Sequence, residues 1–297
     1  MEFLLFILVN AALFIRPSEV VEALRAVPVY NILILLCLAA SIGPILALTS
    51  DRGPRREPSI LCVLVILIMI VASNVARGDL WTARSQAVDF LKVAVYYLLL
   101  LASLRTPARL VRFLTCLAIF TLILSGTSLL HYHHVIQVPS LEMLERMDDI
   151  DSETGESMKV VQLIATGIYS DPNDLCTILV VATLIALYRL CNPHGGLVRL
   201  LWLGPIAVYL YALILTQSRG GLLALMASLM TLFLARFGWR RSIPLAVVAL
   251  PAILMLSGGR QTRLSTSEGT AQGRMMLWID GIRLLSHSPI LGIGAGQ

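Results

Sequence analysis

Long apolar runs separated by short charged segments make up most of this chain of 297 residues. Nine runs can be read along it, at 3–15, 28–49, 59–76, 86–104, 110–130, 174–190, 197–217, 220–235 and 243–257. The second, fifth and seventh reach the roughly 20 residues that a spanning helix needs. The first, eighth and ninth are shorter, which suits tilted helices, half-helices or interfacial segments. The pattern predicts an all-α bundle of about nine transmembrane or membrane-embedded helices, forming one membrane domain over 1–297.

Composition excludes a soluble globular protein. Hydrophobic residues make up 57% of the chain and charged residues 14%, with a mean hydropathy of +0.82. The first apolar run lacks a basic segment before it, so it predicts a membrane helix rather than a cleaved signal peptide. The five cysteines lie in or beside apolar runs without paired spacing, which indicates neither a disulfide framework nor a metal site.

Arginines in alternate loops predict the orientation in the membrane. The windows 50–57, 105–112, 189–199 and 236–242 hold eleven arginines and only two acidic residues. The positive-inside rule places such loops in the cytoplasm. Because these are every second loop of the nine-helix pattern, the N-terminus is predicted to be cytoplasmic as well. The segments 16–27, 77–85, 131–173 and 216–219 and the residues after Ser257 then face outward.

The outward segment 131–165 is acidic. Its carboxylates are Glu142, Glu145, Asp148, Asp149, Asp151, Glu153 and Glu156. Apolar residues at three-residue intervals predict a short amphipathic helix over 140–150, lying on the membrane, followed by a solvated loop over 151–157. A solvated surface and an acidic lid over a binding site both fit this charge. His131, His133 and His134 precede it with a spacing that favours an interfacial polar belt over a metal site.

Arginines also occur on the predicted outward side, where the positive-inside rule disfavours them. They are Arg77, Arg84, Arg219, Arg260, Arg263 and Arg274. One interpretation is a membrane-anchored anion such as a diphosphate, which several guanidinium groups would neutralise together. The other is local pairing, of Arg77 with Asp79 or of Arg263 with Glu268.

Arg219 is the most informative of these residues because it stands between two apolar runs. A charge at membrane depth costs about 3 kcal/mol on insertion scales and often marks a ligand or ion path. The guanidinium stays charged and its planar fork suits phosphate oxygens. Ser218 could add a hydroxyl donor, and Gly220 and Gly221 permit close approach. The alternative is an arginine that reaches from a helix end to the interface.

The sequence Asp171-Pro172-Asn173-Asp174 opens the sixth apolar run. Asp171 suits the N-cap, Pro172 the first helical position and Asp174 the first turn, where acidic groups meet the positive end of the helix dipole. Capping explains this motif without a functional role. Its predicted level at the outer boundary is also that of Arg219, so a shared polar site is a second possibility.

Three motifs together resemble a known family. Gly167–Leu175 resembles its Pro-Asn motif, and Thr216–Gly221 its Ser-Arg-Gly signature. Gly273-Arg274 with Trp278, followed by the Gly-rich turn Ser288–Gly296, resembles its outer arginine and turn. In this order they are similar to the superfamily of O-antigen ligases and polysaccharide polymerases (Wzy-type) of bacterial inner membranes. The resemblance covers 165–297 and is weak before it.

The resemblance implies glycan transfer on the periplasmic face without metal or cofactor. The donor would be a glycan on undecaprenyl diphosphate, the acceptor a sugar hydroxyl of another glycan, lipid-linked or free, and no nucleic acid would take part. Diphosphate binding would fall to Arg219, Arg274, Arg263 and Arg260. Supporting polar residues would be Ser218, Asp171, Asn173 and Asp174.

The family's general base is a histidine downstream of the Gly-rich turn, which would place it beyond Gln297. His287 precedes the turn and does not correspond to it. We therefore expect that a C-terminal part is missing, that the full-length protein is an enzyme and that the chain as given is inactive. Two other functions stay open: a membrane transporter of a small anion such as bicarbonate, and a non-catalytic membrane remnant. Asp89 and Lys92 could line a transport path, or could simply neutralise each other within a helix.

Overall fold

A computed structural model describes residues 1–17, 27–50, 58–138, 141, 144–150, 157–238, 269–289, 292 and 294. Within these ranges the helices are α1 (Glu2–Ile15), α2 (Val29–Ser50), α3 (Pro58–Val75), α4 (Leu80–Ser103), α5 (Pro107–Tyr132), α6 (Pro172–Leu190), α7 (Leu203–Thr216), α8 (Arg219–Phe237) and α9 (Gly269–His287). Two strands, β1 (Leu144–Ile150) and β2 (Ser157–Gln162), and 3-10 helices at Gly167–Tyr169 and Pro193–Trp202 complete the described elements. The prediction of an all-α polytopic membrane bundle is confirmed.

Six of the described helices are long and apolar enough to cross a membrane: α2, α4, α5, α6, α8, and α7 with the turn before it, from Gly195. The helices α1 and α3 are apolar but shorter. The eighth apolar run was predicted to be short, but α8 has 19 residues because the cap at Ser218 extends it to Arg219 and it continues to Phe237. The run at 243–257 lies outside the described residues. The helix α9 was not among the predicted runs, because Arg274, Asp280 and its glycines interrupt the apolar pattern.

The chain divides into two compact units. The first unit contains residues 1–2, 37–105 and 264–297, and the second contains residues 3–36 and 106–263. In the second unit the core is formed by the facing sides of α5, α6, α7 and α8, with the end of α1. Tyr209 is fully buried there, and its hydroxyl donates to the Ala118 carbonyl at 2.6 Å. This bond satisfies the polar end of an aromatic ring that otherwise packs on apolar side chains.

The segment predicted as an amphipathic helix over 140–150 is instead a strand over 144–150, so that prediction was wrong. The strand β1 pairs antiparallel with β2, with Leu144 opposite Gln162 and Met147 opposite Lys159. The three-residue apolar spacing concerns the segment 140–150 alone and contains no information about a pairing partner. The partner strand, β2, contains Val160 and Val161, β-branched residues that favour a pleated pair. Residues 151–156 lie outside the described part, so the predicted solvated loop is described only at its last residue, which begins β2.

In the first unit, polar residues of the loop between α3 and α4 have separate partners. Asp79 caps α4 by accepting from the Thr82 backbone N–H at 2.9 Å, which starts the helix six residues before the predicted apolar run. Hydrogen bonds from Thr82 lower the pKa of the Asp79 carboxyl below its usual value. Arg77 donates to the Gly292 carbonyl at 2.8 Å and to the Ser288 hydroxyl at 3.4 Å. The local pairing of Arg77 with Asp79 was therefore the wrong alternative: Arg77 holds the Gly-rich turn.

Candidate functional site

The start of α6 has the cap geometry that its sequence predicts. Asp171 is the N-cap and its carboxylate accepts from the Asn173 backbone N–H at 2.6 Å. Pro172 is buried at the first helical position, and Asp174 lies exposed in the first turn. The chain reaches this cap through a 3-10 helix that begins at Gly167 with φ +71°, a conformation that glycine adopts without strain.

The start of α8 is a second capped N-terminus, only two residues after the end of α7. Gln217 ends α7 in the left-handed conformation, with φ 52°. Ser218 is buried and caps α8 by accepting from the Gly221 backbone N–H at 3.2 Å. Arg219 is the first residue of α8 and is half-buried. The guanidinium is therefore carried by the positive end of the helix dipole.

The two helix starts touch each other, although 45 residues separate them in sequence. The Ser218 hydroxyl donates to the Asn173 side-chain carbonyl at 2.8 Å. One turn further along both helices, Gly221 lies against Cys176, so closely that a Cβ on Gly221 would stand 2.7 Å from the Cys176 Cβ and overlap its sulfur. We call Asp171, Asn173, Cys176, Ser218 and Gly221 the motif junction.

The motif junction brings together groups of both charge signs. Each helix N-terminus presents backbone N–H groups without partners within the helix, and each carries about half a positive charge. Arg219 adds a full positive charge beside them. The carboxylates of Asp171, which is occupied as a cap, and of Asp174 in the first turn of α6 offset this charge. Such a combination of N–H groups and a guanidinium is a common way to hold a phosphate group.

Residues 204–297 match the O-antigen ligase family model. The match begins in α7 and includes Ser218 and Arg219, so it confirms the recognised resemblance over this part of the chain. No curated protein and no solved structure matches the chain. With six described helices that are long and apolar enough to cross a membrane, the chain is a multi-pass membrane protein, and its residues 204–297 are similar to the O-antigen ligases.

The O-antigen ligase match begins only after the end of α6. The motif junction nevertheless connects the start of α6 with the matched residues. Asn173 precedes the matched residues by 31 positions and is hydrogen-bonded to Ser218 within them. The Pro-Asn motif is thus a physical part of the same structural unit as the matched Ser-Arg-Gly signature.

The end of α1 also reaches this region, which the sequence interpretation missed. The Arg16 guanidinium lies directly against Gly167, so any Cβ at Gly167 would overlap it. Nearby, the rings of Phe14 and Tyr169 are 5.4 Å apart. The signal was available: Arg16 lies in a segment predicted to face outward, where the positive-inside rule makes an arginine unexpected.

The remaining predicted site residues of this ligase-related chain are described only in part. Arg274 lies in α9, but the surroundings of its side chain are outside the described part of the structure. Arg260 and Arg263 also lie outside the described residues. The structure therefore describes where Ser218, Arg219 and the α6 start lie, and diphosphate binding by any of the four arginines stays a prediction.

Three of the five histidines have individual structural partners. His131 Nδ1 accepts from the Val138 backbone N–H at 3.2 Å. His133 Nε2 is 2.9 Å from the Tyr211 hydroxyl, and their rings are parallel with centroids 5.9 Å apart. His287 donates from Nδ1 to the Arg283 carbonyl at 2.8 Å. Among the described residues, no group of three His, Cys, Asp or Glu side chains is placed to hold a metal ion.

Proposed function

We propose that this protein transfers a glycan from undecaprenyl diphosphate to a sugar hydroxyl of a second glycan, as an O-antigen ligase or a polysaccharide polymerase. The reaction takes place on the periplasmic face of the bacterial inner membrane. The observation that carries the proposal is the motif junction, which fixes Arg219 on a helix N-terminus inside the segment that matches the O-antigen ligase family.

The chemistry of this transfer needs a fixed positive charge. As the bond between the sugar and the diphosphate breaks, negative charge grows on the leaving diphosphate. Cations and N–H dipoles that are already in place stabilise that charge best where little water is present. Arg219 serves this role in the proposal, and Arg274, Arg260 and Arg263 supply further contacts to the same anion.

The motif junction supports this role by setting the position of Arg219. Ser218 caps α8 and is held by Asn173, while the contact of Gly221 with Cys176 fixes the distance between the two helices. These residues act on the reaction through the placement of the guanidinium. Asp171 keeps the first turn of α6 in place and is a positioning residue in the same sense.

The alternative of an anion path loses one of its arguments. Asp89 and Lys92 form an ion pair within α4, with Nζ 2.7 Å from Oδ1. The interpretation of a self-neutralising pair is the one that this geometry supports, so these charges do not define an open path for an anion.

Deletion of the gene tests the function directly. We expect the deletion strain to lose its long-chain surface polysaccharide and to accumulate the glycan on its lipid diphosphate, and we expect complementation with the intact natural gene to reverse both effects. Polysaccharide chain length on gels and lipid-linked intermediates by mass spectrometry give the readout. Unchanged polysaccharide together with a loss of labelled bicarbonate uptake into membrane vesicles would favour the transporter.

The orientation has a separate test. We expect single cysteines introduced at Ser152 and Ser265 to react with a membrane-impermeant maleimide added to cells with a permeabilised outer membrane. A cysteine at Ser242 should react only after the inner membrane is opened, because its loop is predicted to be cytoplasmic. The parent chain gives the background from native thiols such as Cys62 and Cys191, which are exposed. Labelling at Ser242 in intact cells would contradict the orientation and the periplasmic site with it.

A further inference from the structure

Two charges lie exposed near the middle of the membrane-spanning helix α4. The Lys92 side chain is 70% exposed and the Asp89 side chain 59% exposed. At a rise of about 1.5 Å per residue, Asp89 lies about 14 Å from the start of this helix and Lys92 about 17 Å from its end. Both charges are thus placed at the depth of the hydrocarbon core.

The charges belong to a polar face that runs along α4. Trp81, Ser85, Asp89 and Lys92 follow at intervals of four, four and three residues, which places them on one side of the helix. All four are exposed, as is the apolar Val88 on the same side, whereas Ala83 and Ala94 on the other side are buried. We call these four exposed residues the polar face of α4.

Ionised residues within spanning helices almost always face a protein interior or a water-filled cavity, and pair with one another. The bond between Asp89 and Lys92 uses one oxygen of the carboxylate and one donor of the ammonium group. A carboxylate accepts at two oxygens and an ammonium group carries three donors, so each still has capacity for a second partner. Lipid tails offer neither a donor nor an acceptor.

We propose that the polar face of α4 is an interface with a second copy of this chain. Under a two-fold axis along the membrane normal, the two α4 helices lie side by side and parallel. Asp89 then meets the partner's Lys92, and Lys92 meets the partner's Asp89. The same patch complements itself, as a two-fold interface requires. The four charges alternate in sign and sum to zero.

This self-complementarity favours a second copy of the chain over a different occupant. The two charges are one helical turn apart, so a two-fold rotation places opposite signs in reach of each other. A different protein would need an acidic and a basic residue at the same two levels. Ser85, one turn from Asp89, is small and lets two helices approach closely, as small residues do in membrane interfaces.

Cross-linking in native membranes tests the interface. We expect Ser85→Cys to form an intermolecular disulfide on mild oxidation, giving a band of twice the protomer mass. Leu91→Cys is the matched control: Leu91 is 50% exposed on the same helix but stands two residues from Asp89, toward the opposite side. It should give no more dimer than the parent chain with its native cysteines.

Charge exchange tests the pairing itself. In the Ser85→Cys background, Asp89→Lys gives a chain with two cations and Lys92→Asp gives a chain with two anions, so each should lose the dimer band. Co-expression of these two chains should restore it as a mixed dimer, identified by two different epitope tags. The restoration also shows that both variants are inserted and folded.

Three results would overturn the proposal. Equal cross-linking of Ser85→Cys and Leu91→Cys would show a collision without a defined interface. A failure of co-expression to restore the mixed dimer would show that the charges do not pair across it. A cross-link from Ser85→Cys to another protein, or within the chain, would show a different occupant of the polar face.

Discussion

Arg219→Ala, introduced into the intact natural gene, is expected to reduce glycan transfer about 100-fold or more while leaving the amount of inserted protein unchanged, since removal of one preorganised charge-stabilising donor has costs of that order. Polysaccharide chain length in the complemented deletion strain, with membrane abundance by immunoblot, gives the measurement. The matched control is Arg236→Ala. Arg236 is at the opposite end of α8 and lies over the Phe237 ring, so its loss should leave transfer unchanged.

Two further experiments test how Arg219 binds the anion: the variant Arg219→Lys, and the double variant of Arg219 and Arg274. A point-like ammonium group loses the two-pronged contact to phosphate oxygens, so activity should fall although the charge is retained. If Arg219 and Arg274 hold one anion, Arg274→Ala should cost much less in the Arg219→Ala background than alone. Full activity of Arg219→Lys with simple additivity would show that Arg219 only anchors the helix at the interface, and would remove it from the proposed site.

Gly221→Ala is expected to destabilise the second unit by about 1–3 kcal/mol, the usual cost of overpacking a close contact. The added methyl group would overlap the Cys176 sulfur and stand 2.7 Å from its Cβ. The two helix starts would be forced apart, with strain on the bond between Ser218 and Asn173. Thermal unfolding of the purified protein in detergent, with polysaccharide chain length in cells, measures both effects.

The neighbouring glycine provides the control for this prediction. A Cβ at Gly220 would meet only the Ser218 hydroxyl, at 3.9 Å, so Gly220→Ala should leave stability unchanged or raise it slightly, because alanine is the better helix former. Cys176→Gly in the Gly221→Ala background removes the clashing atoms and should recover most of the loss. If Gly220→Ala and Gly221→Ala unfold at the same temperature, the packing of the motif junction does not depend on this glycine.

The structural features that the sequence predicted well depend on a few residues that are neighbours in the chain. The cap at Asp171 and the ion pair of Asp89 with Lys92 are set by side chains within one helical turn, and both occur in the structure. The spanning helices follow from the length of apolar runs, since backbone polar groups in lipid must be satisfied within the segment. These features need no knowledge of the tertiary fold.

The features that the sequence did not predict depend on partners that are distant in the chain. The bond of Asn173 with Ser218 and the contact of Arg16 with Gly167 join segments that no local pattern relates. The helix expected over 140–150 was wrong for the same reason, because the hydrogen bonds of a strand come from another segment. The start of α8 at Arg219 rather than within the apolar run follows from the cap, which a hydropathy pattern does not contain.

The single proton of the Ser218 hydroxyl restricts what the motif junction can offer to a ligand. That proton is given to Asn173, and a lone pair of the same oxygen receives the Gly221 N–H. A serine has no second proton, so in this arrangement Ser218 has none left to offer an anion. The Asn173 amide, by contrast, is oriented through its oxygen, and Asn173 is exposed, so its NH₂ group keeps two protons for another partner. We therefore expect an anion at this junction to be met by the asparagine, while the serine sets which way the asparagine points.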